Sequence, residues 1–287
     1  MSLAPLTSVQ GKIVATEDFP AENVVHWTLE NGDKVVWLKS ALANDRTFFR
    51  AVNSAGFMAQ GLSPWQSQMA VQMIAQSSPE NWQVEQLVQW KKDHKVNLNL
   101  EQKAENLTFS GETDNAHFAD LLRLHYALER EISITDSVDE TIEDMQKMLK
   151  ARSKNAADRE ISEVQQRLRF GKLNTDTLPT ERELNGMTAT SLNQQWDKIR
   201  TLPTTYYIVN NQSADEVKGL VQTYLATLPR SRALNVQTDA PLKGTHQAVL
   251  KTNVRTTHRS VSGFLSRSSV EKGRCYDGGA DSSVDGE

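Results

Sequence analysis

The stretch Val24-Val25-His26-Trp27-Thr28-Leu29-Glu30-Asn31-Gly32-Asp33-Lys34-Val35-Val36-Trp37-Leu38 decides the fold class. Two runs rich in β-branched and aromatic residues flank its Asn-Gly dipeptide. Asn-Gly favours a tight turn between antiparallel strands, because both residues tolerate positive φ. The stretch therefore predicts a β-hairpin, and residues 47–52 predict a third strand after it. Residues 1–20 show no sustained period and are interpreted as a linker.

The pattern after the hairpin separates runs of strands from runs of helices. Ser63 and Pro64 predict the start of a helix, because serine caps helices and proline is tolerated in the first turn. Further strands are predicted at 95–101, 105–111 and 206–209, and helices at 64–76, 84–91, 115–130, 191–199 and 214–228, with two charged helices between 137 and 168. This segregation predicts an α+β fold in which a mixed or antiparallel sheet packs against helices.

Composition excludes several classes of protein. The 287 residues are 24% charged with a net charge of -4, which is typical of a folded globular chain and excludes collagen and wholesale disorder. A single cysteine, Cys275, excludes an internal disulfide framework and a cysteine-cluster metal site. The sequence has no apolar run of about 18 residues that would predict a membrane span, and its start lacks the order of a secretory signal. The mildly acidic pI argues against a nucleic-acid partner.

Candidate catalytic and metal-binding residues are few. No two histidines are spaced by four residues with a glutamate beside them, the pattern of a zinc protease helix. His125 and Glu129 lie one turn apart and His117 lies eight residues before His125, but ordinary surface or boundary histidines are the favoured interpretation. The carboxylates of residues 136–144 are interpreted as complementing a helix dipole. We therefore predict no catalytic and no metal-binding residue in this chain.

Two further features leave a binding role open. The first is a set of large apolar side chains that predicts core packing or, alternatively, an exposed groove for peptides: Met58, Trp65, Met69, Met73, Trp82 and Trp90. The second is a small basic cluster, interpreted as a solvated helix end: Arg167, Arg169 and Lys172.

Four phrases resemble the pitrilysin/insulinase family of zinc metallopeptidases, the inverzincins. Residues 27–38 resemble the hairpin that opens domains of this family, and residues 48–57 resemble the strand and glycine turn that follow it. Residues 206–209 and 214–229, which end in Tyr-Leu-Ala-Thr-Leu-Pro, are similar to the closing strand and helix. The resemblance covers about residues 24–229 and implies a domain like those of mitochondrial processing peptidase.

The chain departs from the family at the position of the metal site. Catalytic domains of the family carry His-x-x-Glu-His on the helix after the third strand, whereas residues 55–79 contain no His, Asp or Glu. Zinc needs such ligands, and its bound water needs a base. No catalytic residue therefore transfers to this chain, and zinc is expected only in another domain of the parent protease.

The resemblance implies a place within a longer protein. Long members join four related domains as two halves, and the second half closes over the substrate. The chain resembles the third domain, which implies a linker at 1–20, a non-catalytic peptidase-like domain at 21–235, and the truncated start of a further domain at 236–287. The serine- and glycine-rich composition of residues 255–287 predicts that this tail is poorly ordered.

The functional expectation is a non-catalytic, substrate-binding segment of a bacterial zinc metalloendopeptidase. Its expected partners are the catalytic half of the same protease and the peptide substrate, without nucleic acid or a membrane span, and the resemblance implies the periplasm. One alternative is a structural module that has the processing-peptidase fold and no proteolytic role. Another is an active enzyme with an unrecognised site.

Overall fold

The computed structural model describes residues 10–135, 138–152 and 181–231, together with Leu3, Val164 and Leu168. The chain divides into two units, of which the first comprises residues 1–142 and 185–238 and the second residues 143–184 and 239–287. The predicted domain boundary at residue 235 stays a prediction.

The first unit is built on a mixed sheet of seven strands. The strands are β1 (Ile13–Phe19), β2 (Val24–Leu29), β3 (Lys34–Lys39), β4 (Arg46–Asn53), β5 (Asn99–Gln102), β6 (Leu107–Asp114) and β7 (Thr204–Asn210). Their order across the sheet is β1-β2-β3-β7-β4-β6-β5, and β3 and β7 form the parallel pair. The other neighbouring pairs are antiparallel. The predicted α+β class and mixed sheet are confirmed.

The described residues form seven helices. They are α1 (Pro64–Gln76), α2 (Val84–Asp93), α3 (Phe118–Arg130), α4 (Val138–Arg152), α5 (Glu181–Asn185), α6 (Ala189–Arg200) and α7 (Ala214–Tyr224). Single 3-10 turns lie at Ala41–Ala43 and Asn115–His117. Side chains of β4 alternate between buried and exposed, as expected when helices cover only one face of a sheet.

The core lies between the sheet and the helices. Phe49 and Phe109 of the sheet contact the ring of His125 on α3, with centroids 5.4 and 4.7 Å apart. Phe109 also faces Trp196 of α6 at 6.5 Å. Because aromatic side chains bury large apolar areas, these contacts stabilise the attachment of both helices to the sheet.

The turn of the predicted hairpin differs from the expected one. Gly32 has a φ of 92°, whereas Asn31 does not have positive φ. The side chain of Asn31 instead donates hydrogen bonds to the carbonyls of Leu225 and Leu228, at 3.0 and 2.9 Å, and accepts one from the backbone N–H of Asp33 at 3.0 Å. Asparagine is therefore needed at this turn for its amide group, which joins the hairpin to the end of the domain.

Several predicted boundaries are corrected by the structure. The expectation of a linker over residues 1–20 is wrong at Ile13–Phe19, which form the edge strand β1; most of this strand is exposed, so it lacks an alternating pattern. The strand predicted at 95–101 begins only at Asn99. Ser63 is the N-cap of α1 but makes no side-chain capping hydrogen bond. Weakly buried strands leave little signal in the sequence.

The described part of the second unit is small. It contains the end of α4 from residue 143 and the beginning of α5. Lys147 and Asp144, both exposed on α4, form an ion pair of 3.1 Å at i,i+3 spacing. Surface pairs of this kind contribute little to stability.

Candidate functional site

Helix α1 occupies the position at which the family resemblance implies a metal-binding helix. It follows β4 and spans Pro64–Gln76, and proline at its first position suits a helix start. The side chains of Gln68, Gln72 and Gln76 recur every four residues, so they share one face of the helix. This face carries neutral amides where a zinc site requires imidazole or carboxylate groups.

An open groove lies beside this face of α1, with a volume of about 330 Å³. The helix forms one wall and edge strand β5 forms the other. The lining residues are Gln68, Val71, Gln72, Ala75, Gln76, Leu100, Glu101 and Gln102. Among the described strands β5 pairs only with β6, so its other backbone edge is free to pair with an added strand.

Gln102 fixes the position of this edge strand. Its side-chain amide donates hydrogen bonds to the carbonyl of Ala55 at 3.0 Å and to the hydroxyl of Ser67 on α1 at 3.3 Å. Gly56 lies in the same loop, and a Cβ at residue 56 would clash with the backbone of Ala104 and Glu105. The loop before α1 is therefore packed against the turn between β5 and β6 at a distance that only glycine allows.

The two candidate histidines lie in different surroundings. His117 ends a 3-10 turn, where its ring nitrogen Nδ1 contacts the carboxylate of Asp114. His125 is completely buried on α3, and its Nε2 lies 3.3 Å from Oε1 of Glu129. The expectation of a surface or boundary position is therefore wrong for His125. Among residues 10–135, 138–152 and 181–231, no group of three or more His, Cys, Asp or Glu side chains could hold a metal ion.

Glu129 belongs to a buried cluster of charged and polar groups that the sequence did not predict. Arg230 lies at its centre, with 3% of its side chain exposed, and its Nε donates to both oxygens of Asp33 at 3.0 and 2.9 Å. Its Nη1 donates to Glu129 at 2.9 Å and to the carbonyl of Arg200 at 2.6 Å. Its Nη2 donates to the hydroxyl of Tyr206 at 2.7 Å. Buried charges require this density of partners.

The two carboxylates of the cluster respond differently to their shared guanidinium. Burial works to raise the pKa of Glu129, but Arg230 and His125 outweigh it and lower that pKa to about 2. Burial raises the pKa of Asp33 despite Arg230 and the backbone N–H of Thr204. Burial also raises the pKa of Tyr206, so its hydroxyl stays protonated and donates to Asp33 at 3.1 Å. The cluster lies inside the core and cannot receive a substrate.

The apolar set of tryptophans and methionines is divided between the core and the surface. Trp90 and Met69 are buried, which confirms core packing for these two. Met58, Trp65, Met73 and Trp82 are half-buried. The basic cluster at 167–172 and Cys275 lie outside the described residues.

The groove glutamines and the buried cluster around Arg230 were not predicted from the sequence, although each has a recognisable signal there. The groove glutamines recur at i, i+4 and i+8 in a helix without a charged residue. Arg230 follows directly on Leu228-Pro229, the last phrase of the family resemblance. Nothing in the sequence connects Arg230 with Asp33, because 197 positions separate the two residues.

Membrane insertion finds no support in the part of the chain that the structure describes. None of its helices combines the length and the apolar character that crossing a bilayer requires.

Comparison with known proteins gives results only at the level of three-dimensional structure. No protein-family profile and no curated protein matches the sequence. The ferredoxin protease FusC, solved as a point mutant in complex with Arabidopsis ferredoxin, is 34% identical to this chain, with a TM-score of 0.74. The match covers 83% of this chain and 27% of FusC, so this chain spans about a quarter of that protease.

Two more distant structures share the fold. The periplasmic protease PqqL from Escherichia coli is 19% identical, with a TM-score of 0.72, over 84% of this chain and 27% of PqqL. A peptidase M16 inactive domain from Pseudomonas fluorescens is 15% identical, with a TM-score of 0.62, over 77% of this chain and 54% of that domain. Together with the hairpin, the closing helix and the mixed sheet, the matches to FusC, PqqL and the inactive domain show that the chain is similar to domains of the pitrilysin-type metallopeptidases, the M16 peptidases.

Proposed function

We propose that this chain is a non-catalytic domain from the C-terminal half of a longer zinc peptidase, where it contacts the peptide substrate. One observation carries the proposal: helix α1 lies where a catalytic domain of the family would hold zinc, and it presents Gln68, Gln72 and Gln76 to an open groove. This face can bind polar groups, but it supplies neither a metal ligand nor a base to activate water.

The groove suits an extended peptide. One wall, helix α1, carries neutral amides beside the apolar side chain of Val71, and the other, edge strand β5, carries Leu100 and Glu101. An extended peptide binds such a place by pairing its backbone with the edge strand while its side chains enter the groove. Backbone pairing depends little on sequence, so edge strand β5 would hold many peptides without selecting among them.

The reaction itself would take place in another domain, which carries His-x-x-Glu-His and the zinc ion. This chain would contribute by holding the peptide over the metal-bound water, because positioning a reactant lowers the entropic part of a barrier. FusC was solved with a protein, ferredoxin, bound to it. PqqL is periplasmic. By analogy we place the parent protease in the periplasm and assign it peptide or protein substrates.

The test is a mixing experiment with a quenched fluorescent peptide. The 287-residue chain, the zinc-bearing half encoded by the same gene, and the mixture are assayed separately. We expect no hydrolysis by this chain alone and a higher rate for the mixture than for the zinc-bearing half. The variant Gln72→Arg, which places a large charged side chain in the groove, should remove this increase. Gln89→Arg, an exposed substitution on α2 outside the groove lining, is the matched control and should retain it.

Two outcomes would contradict the proposal. Chelator-sensitive hydrolysis by the repurified chain alone would show an active enzyme with an unrecognised site. Association of the two halves without any increase in rate would favour the structural module.

A further inference from the structure

The sheet has a second face, which the helices of the first unit leave uncovered. Side chains of β4 that point away from the core are exposed, and Phe48 retains 42% of its surface in solvent. Tyr207 on the neighbouring strand β7 retains 45%. Large aromatic side chains with this exposure are uncommon on a sheet that has no partner, and grouped together they mark an interaction surface.

Strand register brings these aromatic side chains next to a cation. Arg50 lies directly opposite Tyr207 in the antiparallel pair of β4 and β7, and Phe48 lies two residues before it on the same face. Val36 of β3 is the partner of Tyr207 on its other side. Directly paired side chains on one face of a sheet lie about 5 Å apart. Phe48, Arg50 and Tyr207 therefore form one continuous patch, called the aromatic–arginine patch below.

The charge of Arg50 is not balanced within the described residues. Its cross-strand neighbours, Ser110 and Tyr207, are both neutral, and it makes no ion pair with any described side chain. Arg46, four residues earlier on the same face, is paired with Glu112 at 3.0 Å. Glu112, which lies directly opposite Phe48 on β6, is thus paired with Arg46, whereas Arg50 makes no ion pair with a described side chain.

We propose that the aromatic–arginine patch binds a peptide segment that presents a carboxylate beside an apolar or aromatic side chain. The guanidinium of Arg50 can take a carboxylate through two parallel hydrogen bonds, while Phe48 and Tyr207 cover the neighbouring apolar side chain. Arginine and tyrosine are also the residue types that dominate binding energy at protein interfaces. The inference rests on the proposed function in one respect, since it takes a peptide as the ligand.

The patch and the groove differ in what they recognise. The groove beside α1 offers neutral amides, a backbone edge and the carboxylate of Glu101, and none of its lining residues is a cation that would attract an acidic segment. The patch offers a cation that makes no ion pair within the described residues, and it therefore prefers acidic segments. Arg50 is thus a specificity-determining residue, and the preference that it imposes should weaken with salt, because exposed charges are screened.

The experiment measures direct binding by fluorescence anisotropy. The full chain is titrated into a labelled peptide with the core Leu-Glu-Phe-Asp and into its neutral counterpart, Leu-Gln-Phe-Asn. We expect the acidic peptide to bind about tenfold more tightly, as one charged hydrogen-bonded pair at a partly solvated site allows. Arg50→Gln should bring the two affinities together, and Arg50→Lys should restore part of the preference.

Lys92→Gln is the matched control, since it removes an exposed cation on α2, outside the patch, and should leave the preference unchanged. Equal unfolding midpoints in urea verify that all variants fold. Equal affinity of the unaltered chain for the two peptides would overturn the proposal, as would a preference that survives Arg50→Gln. Self-association that is abolished by Arg50→Gln would also overturn it in favour of a second copy of the chain.

This result is independent of the mixing experiment. Acid preference without an increased rate on mixing would leave the patch in place and remove the proposed role in hydrolysis. An increased rate without acid preference would support the proposed role in hydrolysis and remove the patch as a binding site.

Discussion

Asp33 and Arg230 are 197 positions apart and form a buried, doubly hydrogen-bonded ion pair at 3.0 and 2.9 Å. Asp33 ends the turn between β2 and β3, and Arg230 follows the helix that closes the domain. Asn31, in the same turn, holds the carbonyls of Leu225 and Leu228. The first hairpin and the last segment of the domain are thus fixed to each other by polar contacts, and Glu129 of α3 is included through the same guanidinium.

Removing the guanidinium should destabilise the domain strongly. Arg230→Met keeps much of the side-chain volume but leaves Asp33 and Glu129 buried without a cation. Breaking a buried pair from one side costs about 3–5 kcal/mol. We expect a loss of this size in the free energy of unfolding, measured by urea denaturation followed by circular dichroism.

The matched control is Arg46→Met. Arg46 also pairs with a carboxylate, that of Glu112, at 3.0 Å, but 46% of its side chain is exposed. Exposed pairs contribute about 0–1 kcal/mol. Similar losses for the two variants would show that the burial of the Arg230 cluster has no energetic consequence.

Glu129 should stay ionised at pH values well below those at which glutamate side chains ordinarily take up a proton. Its folded-state pKa of about 2 lies below the ordinary value of 4.5, because Arg230 and His125 outweigh the effect of burial. A depressed carboxyl pKa contributes stability that is fully present above about pH 5 and is lost as the pH falls toward 2. Asp33 acts in the opposite direction, because burial raises its pKa and the folded state then binds its proton more tightly.

The measurement is a titration of the side-chain carboxyl carbons by NMR in the folded chain. We expect the resonance of Glu129 to shift with a midpoint near pH 2, and that of Asp33 to shift above the ordinary midpoint of 3.8. A midpoint for Glu129 at or above 4.5 would show that the guanidinium does not compensate its burial.

The sequence was sufficient to predict most of the sheet. The hairpin, β4, β6 and β7 were predicted because their side chains alternate or because β-branched and aromatic residues cluster in them. Strand β1 was missed since only its two end residues are even partly buried. Burial produces the pattern, so an exposed edge strand that is held mainly by backbone hydrogen bonds does not show it.

The candidate site was predicted less completely than the fold. The lack of zinc ligands in α1 follows directly from its residue types and does not depend on how the helix packs. The groove and the aromatic–arginine patch depend on which strands become neighbours. Tyr207 and Arg50 are brought together only by the insertion of β7 between β3 and β4. Such long-range pairing leaves no periodic signal in a single sequence.

The loop before α1 offers a test of backbone packing. Gly56→Ala places a methyl group against the backbone of Ala104 and Glu105, so one of the two segments must move. Overpacking of this kind costs about 1–3 kcal/mol, and we expect a loss in that range in urea denaturation. Gly219→Ala is the matched control, because residue 219 lies within α7 and a Cβ there meets no atom within 4 Å. It should raise stability by about 0.5–1 kcal/mol. Equal effects of the two substitutions would contradict the close approach at Gly56.

The last prediction concerns zinc, and it follows from the chemistry of α1. Zinc sites in proteins use thiolate, imidazole or carboxylate ligands, and residues 55–79 contain none of these groups. The amides of Gln68, Gln72 and Gln76 are neutral and cannot balance the charge of the ion. We expect the purified chain to retain no stoichiometric zinc after dialysis against metal-free buffer, as measured by elemental analysis. The zinc-bearing half of the parent protease, treated in the same way, is the control and should retain one ion. One tightly held zinc per chain would mean that ligands outside α1 assemble a metal site, and the division of labour between the two halves would have to be abandoned.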